Sequence, residues 1–285
     1  LGIQNTVFVR KLGAFGTLTD AELVIVSALQ TKRKRFSQGC DLVRQGQTDQ
    51  PAYVLSDGWV CSYKLLADGS RQILHFQIPG DFLGMRSVLL KTADYSVVPI
   101  TPIEAAEVTS GDLVTIFTET PRLAMALLWA VSRDGAMPVE HLFAVGRRNA
   151  AERTAHLLLE LGVRLRLVGL GSTAGHDCPL SHYLLADALG LSAVHANRVL
   201  RYLREEGLLT VQRGRVTIHD FDALAERCGF SADYLEQGRA AQAWPKSAPD
   251  RLGSRQLSTS CPGTPVECPG RTSSGGAPLR LGRVP

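Results

Sequence analysis

The sequence predicts an α+β chain: a β domain of barrel or sandwich type, then a long helix, then a winged helix-turn-helix. Three observations carry that expectation. From Phe36 to about Thr115, short apolar strand candidates alternate with glycine turns. Over residues 121–147 apolar positions step by four and three, the spacing of a coiled-coil seam. Residues 180–218, LSHYLLADALGLSAVHANRVLRYLREEGLLTVQRGRVTI, hold two capped helices about a glycine and then an alternating hairpin.

Composition sets the bounds. A chain of 285 residues has room for two domains with their own cores. No apolar run approaches the roughly 20 residues of a membrane span. No cationic-plus-apolar signal segment is present at the start, so the expected compartment is the cytoplasm, with no membrane partner. The first residue is Leu1, which leaves open whether others precede it. Cysteines at 40, 61, 178, 228, 261 and 268 form no C-x-x-C pair, and no two histidines stand at i, i+4 on one helix. No metal, haem or other cofactor is signalled. No nucleophile motif such as G-x-S-x-G appears, so the chain does not read as an enzyme. The net charge is +4, but residues 238–285 hold seven Arg and Lys against Asp250 and Glu267. The rest is therefore slightly acidic, and nucleic-acid affinity would have to come from a local patch.

In chain order, residues 1–35 read as a helical lead-in, with Thr19 and Glu22 spaced for a capping box. Lys32–Arg35 reads as a solvated strand or helix end. Tyr53–Leu55, Trp59–Leu65, Gln72–Ile78 and Ile103–Val108 are strand candidates, and Asp68-Gly69 marks a hairpin. Thr120-Pro121 opens a helix. Its seam would be Ala124, Leu128, Val131, Gly135, Pro138, Leu142 and Val145, which implies a symmetric dimer. A proline inside a helix costs about 3 kcal/mol, so a kink or break is expected near 135–138. Residues 149–167 form the next helix, with Ala155, Leu158, Leu159, Leu161 and Leu165 inward. Gly169–Asp177 reads as a linker loop.

In the helix-turn-helix, Ser181 caps the first helix, Gly190 turns the chain, and Ser192 caps the second. Leu185, Ala186, Leu189, Leu191, Ala196, Val199, Leu200 and Leu203 face inward. Ala193, Val194, Asn197, Arg198 and Arg201 are left in one outward stripe. A cation-and-amide stripe without an acid before Glu205 suits the major groove: arginine can bond guanine in bidentate fashion, and asparagine adenine. The alternative is an ordinary helical hairpin with a solvated face. Strands Leu209–Val211 and Val216–Ile218 make the wing, and the tip Gln212–Arg215 places Arg213 for phosphate contact. Helices follow at Asp220–Arg227 and near Ala232–Gln237. The tail lacks any periodic apolar pattern and is expected to be either a disordered basic extension or sequence foreign to the fold.

The segment YVLSDGWVCSYKLLADGSRQILHFQIPGDFLG resembles the jelly-roll sensor domain of the Crp/Fnr family of bacterial transcription regulators. RRNAAERTAHLLLELGVRL resembles that family's linker helix, and the helix-turn-helix resembles its DNA-binding module. The resemblance covers about residues 10–236. It implies a β-roll sensor over 1–120, a dimerisation helix over 121–147, a winged helix-turn-helix over 148–237 and a tail over 238–285. It further implies a homodimer on double-stranded DNA with a palindromic site, with RNA polymerase as a further partner. Ser192, Ala193, Val194, Asn197, Arg198, Arg201 and Arg213 are the DNA-binding candidates. Relatives often carry glutamate where Val194 stands, so the preferred half-site should differ there. Cyclic-AMP-binding relatives place a glutamate on the ribose and an Arg-Ser pair on the phosphate. Asp81 stands near the first position, and Asp94-Tyr95-Ser96 occupies the region of the second. Asp81, Tyr95 and Ser96 are therefore the effector-pocket candidates, in a site poorly suited to cyclic AMP, and the effector is unassigned. Two other readings stay open: a cyclic-nucleotide-responsive regulator, and a dimeric adaptor of the same fold that does not bind DNA.

Overall fold

The computed structural model describes residues 6–236 apart from Lys91. The tail over 238–285, with Cys261 and Cys268, lies outside the described residues.

Two short helices lead in, α1 (Val7–Gly13) and α2 (Asp20–Leu29). The Thr19 hydroxyl accepts from the Glu22 N–H while the Glu22 carboxylate accepts from the Thr19 N–H. This reciprocal cap is worth about 1 kcal/mol. The roll follows: β1 (Arg33–Phe36), β2 (Ala52–Asp57), β3 (Val60–Leu65), β4 (Arg71–Gln77), β5 (Phe82–Leu83), α3 (Met85–Leu89), β6 (Ser96–Pro99) and β7 (Ile103–Val108). One sheet has the order β1-β7-β2-β5 and the other β4-β3-β6, with every pairing antiparallel. Leu55, Val60, Leu83, Val97 and Ala105 are fully buried within the roll. Gly58 turns β2 into β3 at φ +85°, where a Cβ would come within 2.4 Å of the Pro102 carbonyl, so only glycine fits. The basic run at β1 pairs across to β7: Arg33 to Glu104 and Lys34 to Glu107. Strand β1 falls where Lys32–Arg35 reads as a solvated strand or helix end, whereas β5 and β6 escape the strand pattern because they are short.

Helix α4 (Ser110–Glu119) leads to α5 (Pro121–Arg147), 27 residues and about 40 Å long. Of the kink or break expected near 135–138, the break does not occur: the helix runs on through Pro138, which itself has no N–H to donate. Arg133, Met137 and Ala144 are buried on both sides of Pro138, and this anchoring offsets the local cost. Not all of the expected seam positions are open to a partner. Ala124 is buried in the core with Phe8 and Leu123, whereas Leu128, Val139, Leu142, Phe143 and Val145 are exposed.

Helix α6 (Ala150–Leu167) is buried along most of its length and forms the spine of the C-terminal part. The segment expected to be a linker instead forms β8 (Gly171–Ser172) and β9 (Gly175–Asp177). After α7 (His182–Leu189) and α8 (Ala193–Glu205), strands β10 (Leu209–Gln212) and β11 (Arg215–Ile218) complete a sheet of order β10-β11-β9-β8. The reason is Gly175, at φ +146°: a Cβ there would lie 2.2 Å from the Val216 carbonyl, so glycine lets β9 join the wing. Helices α9 (Phe221–Cys228) and α10 (Asp233–Glu236) close the described chain. One apolar core runs from Trp59, Phe76 and Ile78 of the roll, through Leu158 and Leu161, to Leu185, Leu203 and Leu224.

Candidate nucleic-acid interface

The Ser181 hydroxyl caps α7 by accepting from the Leu184 N–H at 3.3 Å. Gly190 ends that helix in the left-handed conformation, φ 61°. The Ser192 hydroxyl accepts from the His195 N–H at 3.2 Å and starts α8. Ala196, Val199 and Leu203 are buried and lock the back of α8 into the core. The outward stripe follows from that anchoring. Val194 (67% exposed), Asn197, Arg198 and Arg201 face solvent, while Ala193 is half-buried. Arg198, Arg201 and Arg204 make no hydrogen bond or ion pair with any described residue, so their donors are free for a ligand. His195 and Arg204 are exposed on α8 as well. Sequence reasoning passed over both, although their places beside the stripe could have flagged them.

The wing is tighter than expected. Gln212 pairs with Arg215, leaving a two-residue tip, Arg213-Gly214, with both φ values positive (51° and 74°). That is the geometry of a type I′ hairpin. Arg213 is exposed and unpaired among the described residues, whereas Arg215 is tied to Asp177 at 2.8 Å. Only Arg213 of the two is free to meet a phosphate.

The helix-turn-helix is fixed to the roll. Arg71 on β4 donates through Nε and Nη2 to Asp187 on α7, at 2.8 and 2.6 Å, and the Gln72 amide donates to the Ala188 carbonyl at 3.1 Å. Deeper, Arg164 on α6 is 1% exposed. It donates to Asp81 at 2.6 Å, to the Phe76 carbonyl at 2.8 Å and to Glu160 at 3.3 Å. Lys11 on α1 joins Asp81 at 2.7 Å and Asp134 on α5 at 2.8 Å. Burial alone would raise the Asp81 carboxyl, but Lys11 and Arg164 override it and hold it well below the usual carboxylate range.

The three effector-pocket candidates stand in different surroundings. An open cavity of about 610 Å³ lies between the roll and α5, and of the three candidates only Tyr95 lines it. Asp81 spends its oxygens on Lys11, Arg164 and the Ile78 N–H instead. Ser96 is off the lining, with its hydroxyl accepting from the Gln45 N–H at 3.0 Å. Arg86, on the lining, is paired with Asp94 at 2.9 Å and lies over the Tyr95 ring. Of the cations on the lining, Arg86 is paired with Asp94 beside Asp134, while Lys64 on β3 is solvent-exposed and has no partner among the described residues. Burial pushes the Cys61 and Cys178 thiols up to about 11 and about 12, so both are protonated. Among the described residues no group of three or more His, Cys, Asp or Glu could hold a metal ion, and no helix is long and apolar enough to cross a membrane.

Comparison with known proteins agrees with this architecture. A cyclic nucleotide-binding domain model matches residues 33–120, and a Crp-like helix-turn-helix domain model matches residues 152–227. The chain is 31% identical to the nitrogen fixation regulation protein FixK of Azorhizobium caulinodans, over 70% of this chain and 80% of that one. It is 30% identical to the transcriptional activatory protein AadR of Rhodopseudomonas palustris, over 76% and 90%. A solved structure of FixK2 from Bradyrhizobium japonicum superposes with a TM-score of 0.61 at 25% identity, covering 68% of this chain and 95% of that one. A β-roll, a long helix and a winged helix-turn-helix in this order, with these relatives, place the chain in the Crp/Fnr family of transcription regulators, a family of DNA-binding proteins and not of enzymes.

Proposed function

We propose that the protein is a homodimeric regulator that reads a two-fold symmetric DNA site through α8. The observation that carries the reading is the α8 surface itself. Asn197, Arg198 and Arg201 are exposed and uncommitted on a helix whose opposite face is locked in the core, beside a wing tip that offers Arg213. Arg198 and Asn197 would contact base edges, Arg201 and Arg213 phosphates, and Ser192 and Ala193 the backbone nearest the helix start. Val194 can make only apolar contact, for instance with a thymine methyl. The exposed stripe Leu128, Leu142 and Val145, with Val139 and Phe143 beside it, would meet its own copy across a two-fold axis and set the half-site spacing. RNA polymerase is the natural further partner of such a regulator, and the cytoplasm its compartment.

The cavity favours a regulator that does not use cyclic AMP in the usual way. A buried phosphate needs a free cation or dense hydrogen bonding; Arg86 is already held by Asp94, and Lys64, the lining cation without a partner among the described residues, is solvent-exposed. Selection of bound duplexes from a random pool tests the reading as a whole. A recovered motif with inverted half-sites supports it. Recovery of unenriched sequence would favour the adaptor alternative.

A further inference from the structure

We infer that His141 is a pH-sensitive tie that joins the dimer helix to both the sensor roll and the DNA-binding domain, made when its ring is protonated and released when it is not. The geometry requires a charged ring. Nδ1 lies 3.3 Å from the Leu74 carbonyl on β4, and Nε2 lies 2.9 Å from the Glu160 carboxylate on α6. Both partners are acceptors, and turning the ring over would set Cδ2–H and Cε1–H against them and lose both hydrogen bonds. Only imidazolium carries two N–H donors. Glu160 does not supply the missing proton. It is fully buried and already accepts from Arg164 at 3.3 Å and from the Tyr234 hydroxyl at 2.8 Å, a set of donors that selects the carboxylate. A neutral His141 keeps one N–H and must abandon either β4 or α6.

The surroundings fit a switch and not a fixed charge. The ring is one-fifth exposed and lines the open cavity, so protons can reach it. Facing it from α6 are Glu160, Arg164, His156 and Arg153; from β4, His75; from the β4–β5 turn, Asp81; and from α10, Tyr234. Across the cavity stand Lys64 and the Arg86–Asp94 pair, with Asp134 on α5 itself. Burial opposes charge on His141, and Arg164 opposes it too, but Glu160 and the Leu74 carbonyl outweigh both and move its pKa above the ordinary histidine value. The other two histidines at this junction go the opposite way. Burial, with Arg164, holds His75 well below that value, and burial, with Arg148, holds His156 near 4. His141 is thus the one of the three whose surroundings favour the charged ring.

The sign follows. A group whose folded pKa is raised contributes stability fully below its unfolded value, about 6.5, and loses it as pH rises through the folded value. Each unit of elevation corresponds to about a tenfold change in the equilibrium of the tie. The inference stands on the junction alone and goes beyond the DNA-binding reading, so a test without DNA separates the two. Histidine-labelled full-length protein is titrated by NMR from acid to alkaline pH, with His141→Gln identifying the resonance. Hydrogen exchange of the Leu74 strand and of α6 is followed over the same range. The expected result is a His141 midpoint above 6.5, with protection at those amides falling across it by about tenfold per unit of elevation. Should His141→Gln fail to fold, Glu160→Gln supplies the check by moving the midpoint down. A midpoint at or below 6.5, or protection that is flat across the midpoint, overturns the inference.

Discussion

Arg198 and Arg213 are both exposed and both unpaired among the described residues, yet they are expected to fail differently. Arg198 stands on the stripe of a helix held rigidly by Ala196 and Val199. Its loss in Arg198→Ala should cost about 1–3 kcal/mol of binding and relax preference at one base pair. Arg213 sits on a two-residue turn. Arg213→Ala should weaken all duplexes alike and reduce the salt dependence by about one ion. Binding of a panel of single-substituted duplexes at two salt concentrations distinguishes these outcomes, and identical behaviour of the two variants would remove the base-reading role of Arg198. Asp81 makes a different prediction. Asp81→Asn leaves Lys11 with Asp134 and Arg164 with Glu160, so the loss should fall near the low end of the cost of breaking a buried pair, about 3 kcal/mol. The folded pKa of Asp81 is depressed, and so is that of Glu160 against the pull of burial. Their contribution is therefore present above about pH 4 and lost as pH falls through the folded values. Urea midpoints should drop in acid for the wild type and less steeply for Asp81→Asn.

At the scale of elements, α5 is the proposed site of assembly. Leu142 is 75% exposed and Ala124 only 4%, which places the middle of the seam toward the C-terminal half of the helix. Leu142→Glu would set like charges across the two-fold axis and should give monomers by sedimentation, with weakened DNA binding. Unchanged sedimentation would rule the seam out. The elements differ in how far they were legible. Helices α7 and α8 were readable because their caps, glycine turn and apolar spacing are all local. Pro138 misled because its penalty is local while the burial of Met137 that offsets it is not. Strand β9 was hidden because the reason for Gly175 is the Val216 carbonyl, 41 residues away. The same limit applies to the cavity. Asp81 is near the expected position in sequence, but its partners Lys11 and Arg164 lie 70 and 83 residues off and turn it away from the lining.

Across the whole molecule, the roll and the DNA-binding part share one apolar core and one buried charge cluster, with Arg71–Asp187 at the edge. With Arg86 paired to Asp94 and Lys64 exposed to solvent, calorimetry with cyclic AMP should give no micromolar binding. Asp94→Ala, which frees that arginine, is the variant in which phosphate affinity should rise. The claim on which the rest depends is that α8 reads sequence. Its most direct test is the affinity of the wild-type dimer for the selected duplex and for a scrambled duplex of equal length at one salt concentration. A preference of about a thousandfold or more is expected, with Arg198→Ala losing part of it at a single base pair. Equal affinity for the two duplexes would contradict it.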